Sequence, residues 1–204
     1  MQLLASHADW VLGVDRSPAA LELGSSYGVL KLRADATFLP LADGSVDLMS
    51  ALDVLEHVDD DLQALNEFQR VLRPDGFLLV TVPAYRFLWS EHDEALAHRR
   101  RYSASELHVK LTRAGFRVLK RSYVVFFAFF PIATYRLFRG LFPKDPFTPK
   151  ASHVVLPAFL NRFLIASLKL EAYLTRAINL PMGTSIVVLA QKGQQQPRGD
   201  LRFP

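Results

Sequence analysis

Asp35, Asp53, Glu56 and His57, four side chains able to do acid–base or ligand chemistry, fall in one short stretch of the sequence. Asp35 ends the apolar-patterned run from Val29, and Asp53, Glu56 and His57 follow the run Val46 to Leu52. Asp15 stands in the same relation to the apolar run from Trp10, and Arg16 follows it directly. Open parallel sheets bind ligands in the crevice outside the carboxyl ends of their strands. Polar residues just past three successive apolar runs therefore read as one ligand edge. Glu56 and His57 suit a general base or a substrate contact, and they equally suit loop residues that pack and hydrogen-bond. Asp53 is either a ligand group or the cap of the next turn.

A second polar set lies further on. The loop Tyr85-Arg86-Phe87-Leu88-Trp89-Ser90-Glu91-His92-Asp93-Glu94 mixes aromatics with acids and a histidine, and His98-Arg99-Arg100-Arg101-Tyr102 follows. Arginine forks suit the carboxylate or phosphate of an acceptor, with a solvated charged turn as the alternative. Tyr85, His92, Arg100 and Arg101 are thus candidates for the acceptor side. His92, Asp93 and His98 are types that bind metals, but their spacing is not that of a helical metal motif, and no metal is expected. Nucleic acid is not expected either, because the basic residues are local and lack a stacking platform.

The elements that must position these groups alternate. Strands are expected at Trp10–Asp15, Val29–Asp35, Val46–Leu52 and Phe77–Val82, the last nearly all apolar and so central. Ser17-Pro18 opens a helix after the first strand. Asp59 or Asp60 caps another, with Leu62, Leu65, Phe68, Val71 and Leu72 near helical spacing and a stop at Arg73-Pro74-Asp75-Gly76. Ser103 and Glu106 have capping-box spacing. Phe116–Phe130 reads as strand, about 131–181 as helical and apolar, and Gly183–Ala190 as a last strand. This alternation predicts an α/β doubly wound sheet. The 204 residues, half of them apolar, suit one domain. A net charge of +4 is a mild basic excess, and the absence of cysteine excludes disulfides and thiolate metal sites. No basic leader precedes a long apolar run at the start, which is compatible with the cytoplasm.

The ordered set Val14-Asp15, Asp35-Ala36, Leu39-Pro40, Val46-Asp47, Leu55-Glu56-His57-Val58, Leu72-Arg73-Pro74-Asp75-Gly76 and Phe77 to Val82 resembles the class I S-adenosylmethionine-dependent methyltransferases, nearest to the small-molecule, ubiquinone-type branch. The resemblance implies S-adenosylmethionine as cofactor and a small-molecule methyl acceptor. It implies that Asp15 lies at the ribose, Asp35 and Ala36 at the adenine, and Asp53 at the methionine part, with Arg16 also among the cofactor-binding residues. It implies a Rossmann-like, mostly parallel sheet. Members carry a glycine-rich turn after their first strand, roughly 20 residues before the acid of the second. Counting back from Asp15 passes Met1, so the expectation is an N-terminally truncated domain lacking that strand and loop. The domain is expected over 1–192, with a helical apolar insertion about 131–181 and a disordered tail over 193–204. The aromatic run Tyr123 to Ala133, followed by Arg136, Arg139 and Lys144, suits either a cover for the sheet or a peripheral membrane contact that holds a lipid-like acceptor. The alternative to an enzyme is a non-catalytic remnant of this fold that serves as a binding or membrane-associated module.

Overall fold

The structure is a computed structural model that describes residues 7–23, 29–139 and 157–193. Two sheets carry the strands. In the smaller, β1 (Leu12–Asp15) pairs in parallel with β2 (Leu30–Arg33), joined through helix α1 (Pro18–Leu23). In the larger, the order is β3 (Val46–Leu52), β4 (Leu72–Pro83), β6 (Ser185–Lys192), β5 (Phe116–Val124). β3 and β4 are parallel, and β6 runs antiparallel to both β4 and β5, so three of these four strands point the same way. The Rossmann-like, mostly parallel arrangement is as expected. Its division into two sheets was not foreseen. Among the described residues, β1 pairs only with β2 and β3 only with β4.

The central place of β4 follows from its composition. Leu78, Val80 and Val82 are fully buried, and they face Ala51 of β3 and Ile186, Val188 and Ala190 of β6 in one core. Helix α2 (Asp61–Val71) covers that face with Ala64, Leu65, Phe68 and Val71, and Asp60 caps it by accepting the Gln63 N–H at 2.9 Å. Helix α4 (Ala104–Arg113) adds Leu107 and Leu111, with Ser103 accepting the Glu106 N–H at 3.1 Å. The connection from β2 to β3 is tied to α2 by Arg70, which donates to the carbonyls of Leu39 and Leu41, each at 2.8 Å, while Glu67 accepts from the Leu39 N–H.

Three expectations are corrected. Arg73-Pro74-Asp75-Gly76 does not separate helix from strand; it lies within β4, where the pairing with β3 shifts register between Val46/Leu48 and Asp75 takes a φ of 61°. The aromatic run is not one strand. β5 ends at Val124, Val125 turns with a φ of 61°, and helix α5 (Phe126–Arg139) begins. The cause is remote: Glu171 of α6 (Ala158–Ala177) accepts the N–H groups of both Val125 and Phe126 and so fixes the turn. The last strand starts at Ser185, because Gly183 lies against β5; a Cβ there would come 2.1 Å from the Val124 carbonyl oxygen. The expected tail, from 194 on, and residues 140–156 of the helical region lie outside the described residues.

The N-terminus of α2 is pinned to the loop ahead of α4. Asp61 accepts from the buried Tyr102 hydroxyl and from Lys110 Nζ, both at 2.7 Å, and Arg100 Nη1 stands 3.2 Å away. Burial alone would raise the Asp61 carboxyl, but the Lys110 and Tyr102 hydrogen bonds and the nearby cations hold it below its usual value of 3.8. Ionised Asp61 therefore stabilises the fold above that pH, and the contribution disappears as pH falls through the lower folded-state value. Asp61→Asn is expected to cost about 2–4 kcal/mol at pH 7 and progressively less in acid, read from urea unfolding across pH.

Candidate active site

The carboxyl ends of the parallel strands carry the polar groups in two clusters. The first is at β1 and β2. Asp15 and Arg33 are register partners, so Asp15 and the residues after Arg33 stand side by side, and the Ala34 N–H donates to the Asp15 carbonyl at 3.2 Å. Asp15 Oδ1 accepts the Ser17 N–H at 2.8 Å. Asp35 Oδ1 accepts both the N–H and hydroxyl of Thr37, at 2.9 and 2.7 Å, and Arg16 Nε lies 3.4 Å from Asp35 Oδ2. The Thr37 hydrogen bonds hold the Asp35 carboxyl below its usual value, with Arg16 adding to that. Arg16, Arg33, Ala34 and Asp35 line an open hollow of about 250 Å³. Ala36 packs, half-buried, against the core. The sequence therefore brings Asp15, Arg16, Asp35 and Ala36 together, although Thr37 as the partner of Asp35 was missed.

The second cluster is at the end of β3. Asp53 has a φ of 53°; its N–H donates to the Thr81 carbonyl at 3.0 Å, and the Thr81 hydroxyl donates to its Oδ1 at 3.1 Å. A short 3-10 turn, Leu55–His57, follows. It buries Glu56 completely and leaves His57 exposed. Neither carboxylate oxygen of Glu56 has a hydrogen-bond partner. Burial pushes its carboxyl up to about 7, with Asp53 and Asp93 adding to the rise. His57 is held below its usual value by burial and by His98, whose ring stands 4.8 Å away edge-on.

His98 arrives here on a loop fixed by one buried carboxylate. Asp93, on the short helix α3 (Glu91–Ala95), is fully buried. Its Oδ1 takes Arg101 Nε at 2.7 Å and His98 Nδ1 at 3.0 Å, and its Oδ2 takes the N–H and hydroxyl of Ser90 at 2.8 and 3.1 Å. Burial opposes its charge, but Arg101, His98 and Ser90 together hold it below its usual value.

Several acceptor-side candidates change role here. Arg101, read as an anion clamp, is buried and gives its Nε to Asp93 and its Nη1 to the Ala84 carbonyl. Arg100 gives Nη2 to the Asp59 carbonyl at 2.7 Å and pairs with Asp61. Both forks are spent within the protein, Arg100 on the start of α2 and Arg101 on Asp93 and the end of β4. Tyr85 stacks on Tyr123 at 5.1 Å and meets Phe87 and Phe129; burial and Tyr123 raise its hydroxyl well above the usual value. His92 is exposed on α3, away from the buried face that carries Asp93. The grouping of His98 with Glu56 and His57 was missed, because nothing in local spacing joins residues so far apart in the chain.

Solved structures share this fold. The chain superposes with a TM-score of 0.59 on a putative methyltransferase of Bacillus halodurans, over 95% of this chain and 87% of that one at 17% identity. It superposes with a TM-score of 0.56 on a possible histamine N-methyltransferase of Thermotoga maritima, over 89% and 72% at 21% identity. The fold is that of the class I S-adenosylmethionine-dependent methyltransferases. By sequence, residues 1–80 match the methyltransferase domain family. A probable S-adenosylmethionine-dependent methyltransferase of Mycolicibacterium smegmatis is 36% identical over 120 residues, 57% of this chain and 47% of that protein. A demethylmenaquinone methyltransferase of Mycolicibacterium vanbaalenii is 39% identical over 77 residues, 38% of this chain and 34% of that protein. The chain spans about half or less of the length of these curated relatives. The cofactor of the class is S-adenosylmethionine.

The Asp93 cluster has a clear energetic test. Removing the carboxylate leaves the Arg101 charge buried and unpaired, so Asp93→Ala is expected to cost about 3–5 kcal/mol in urea unfolding. The double variant Asp93→Leu with Arg101→Met is expected to recover most of that loss.

Proposed function

We propose that this chain binds S-adenosylmethionine and transfers its methyl group to a small-molecule acceptor. The observation that carries the reading is the pair of carboxylates, Asp15 and Asp35, set side by side at the ends of neighbouring parallel strands within the segment that matches the methyltransferase domain. The donor set suits the cofactor. Asp15 would accept from the ribose hydroxyls, and Asp35 with the Ala36 amide would meet the adenine edge. Asp53, at the end of β3, faces the amino-acid end. S-adenosylmethionine supplies an already activated methyl group when bound. The work left to the protein is to align the acceptor in line with that methyl and to exclude water. Exposed His57, just past Asp53, would accept a proton from an acceptor that must lose one.

A second observation bears on the acceptor. Helices α5 and α6 expose Phe127, Phe130, Leu137, Phe138, Phe159, Phe163, Leu168 and Tyr173. Their single acid, Glu171, is buried against the start of α5, whereas Arg162, Lys169 and Arg176 stand on α6. An apolar face rimmed only by cations suits an anionic lipid surface. No helix among the described residues is long and apolar enough to cross a membrane. This favours a lipid-linked or amphipathic acceptor reached at the membrane surface.

Calorimetric titration with S-adenosylmethionine tests the first reading. Binding is expected, weakened roughly 10- to 100-fold by Asp15→Ala, as for loss of a hydrogen bond to a charged group. A folded sample that gives no heat at millimolar ligand overturns it. For the second, sedimentation with vesicles is expected to capture the chain on anionic but not on zwitterionic lipid, and Phe159→Asp with Phe163→Asp is expected to abolish capture. Capture unaffected by lipid charge would count against that reading.

A further inference from the structure

We infer that Glu56, His57 and His98 form a binding site for one divalent transition-metal ion. One ligand atom from each of the three lies within 4.8 Å of the other two. Tetrahedral donors about 2.1 Å from one ion stand about 3.4 Å apart, so side-chain rotations that draw the donors together by up to about 1.4 Å close the triad. The observation that points to a ligand is Glu56. Its carboxylate is fully buried, both oxygens lack partners, and it is aimed at the two imidazoles. A buried carboxylate without partners is costly, and a cation in the triad supplies the missing charge and bonds.

His98 is prepared for this. His98 Nδ1 is held by the Asp93 carboxylate at 3.0 Å, which leaves Nε2 as the nitrogen for a ligand. Metal-binding imidazoles are almost always oriented in this way, by a carboxylate or a backbone carbonyl on the second ring nitrogen. The Ala97 backbone lies beside the His57 ring and favours its protonated form. Ala97 reaches its place with a φ of 55°. The donor set of two imidazoles and one carboxylate suits Zn²⁺, Fe²⁺ or Mn²⁺ rather than a hard all-oxygen ion. Glu56 closes the inner side, while exposed His57 leaves a path for entry and open coordination positions for water or a hydroxyl oxygen. That the acceptor's hydroxyl takes such a position rests on the methyl-transfer reading; the metal site itself does not.

The test uses the full chain, stripped with chelator and titrated with Co²⁺, whose visible d–d bands report a nitrogen- and oxygen-ligated site. One equivalent is expected to bind and to be displaced by Zn²⁺. Glu56→Gln, His57→Ala and His98→Ala are each expected to weaken binding at least 10-fold, while His108→Ala, on the exposed face of α4, leaves it unchanged. Circular dichroism of each variant separates lost binding from lost fold, and Glu56→Gln, which keeps the shape of the side chain, is the variant least able to disturb it. No Co²⁺ spectrum in folded protein overturns the inference, as does binding that all three variants leave intact. Titration with S-adenosylmethionine in parallel keeps the two readings apart: cofactor binding without metal binding sinks only the metal site.

Discussion

The Asp93 carboxylate is the interaction on which the site depends. It is fully buried, and it satisfies four donors drawn from Ser90, His98 and Arg101. A buried charge is tolerated only when its partners are well placed, and removing one member costs more than the pair is worth. This fixes the whole connection between β4 and α4. Arg101 reaches past Asp93 to the Ala84 carbonyl and so closes the loop onto the end of β4. Arg136 of α5 donates to the Leu88 carbonyl and stands 3.8 Å from Asp93, which brings the helical layer to the same anchor. His98 is aimed at Glu56 and His57 as a consequence.

The sheet explains why these groups meet at all. β4 is apolar on both sides because β3 and β6 flank it and helices cover its face. Its carboxyl end therefore lies beside that of β3, where Thr81 holds Asp53 by two hydrogen bonds. The small β1–β2 pair presents its acids at its own carboxyl ends and is carried by α2 through Arg70 and Glu67 rather than by strand pairing. The two halves of the polar edge are thus held by different forces: β-ladder bonds and core packing for Asp53 and Glu56, and side-chain bonds to backbone for Asp35. Helices α5 and α6 add an apolar layer whose one acid is turned inward to cap a helix start.

Local patterning was enough for much of this. Period-2 and continuous apolar runs placed β1 to β4, and helical spacing with a cap at Asp59 or Asp60 placed α2, because each of these elements is stabilised by its own sequence neighbours. The positions of Asp15, Asp35 and Asp53 at strand ends followed from those runs and needed no tertiary knowledge. The boundary at Val125 did not follow. Aromatic residues suit strand and buried helix alike, and the groups that decide are the Glu171 oxygens from a distant helix.

The sequence by itself determined the strand–helix order, the carboxylates at three strand ends and the likeness to methyltransferases, since all of these are written in short-range spacing. Tertiary structure alone decided what the second polar set does. Arg100 and Arg101 look like a clamp for an anion when read as a run of charge. Folded, Arg101 is buried against Asp93 and half-buried Arg100 pairs with Asp61, because an unpaired buried carboxylate would be too costly. The same loop closure carries His98 to Glu56 and His57, a meeting set by chain geometry over a long separation that no local pattern encodes.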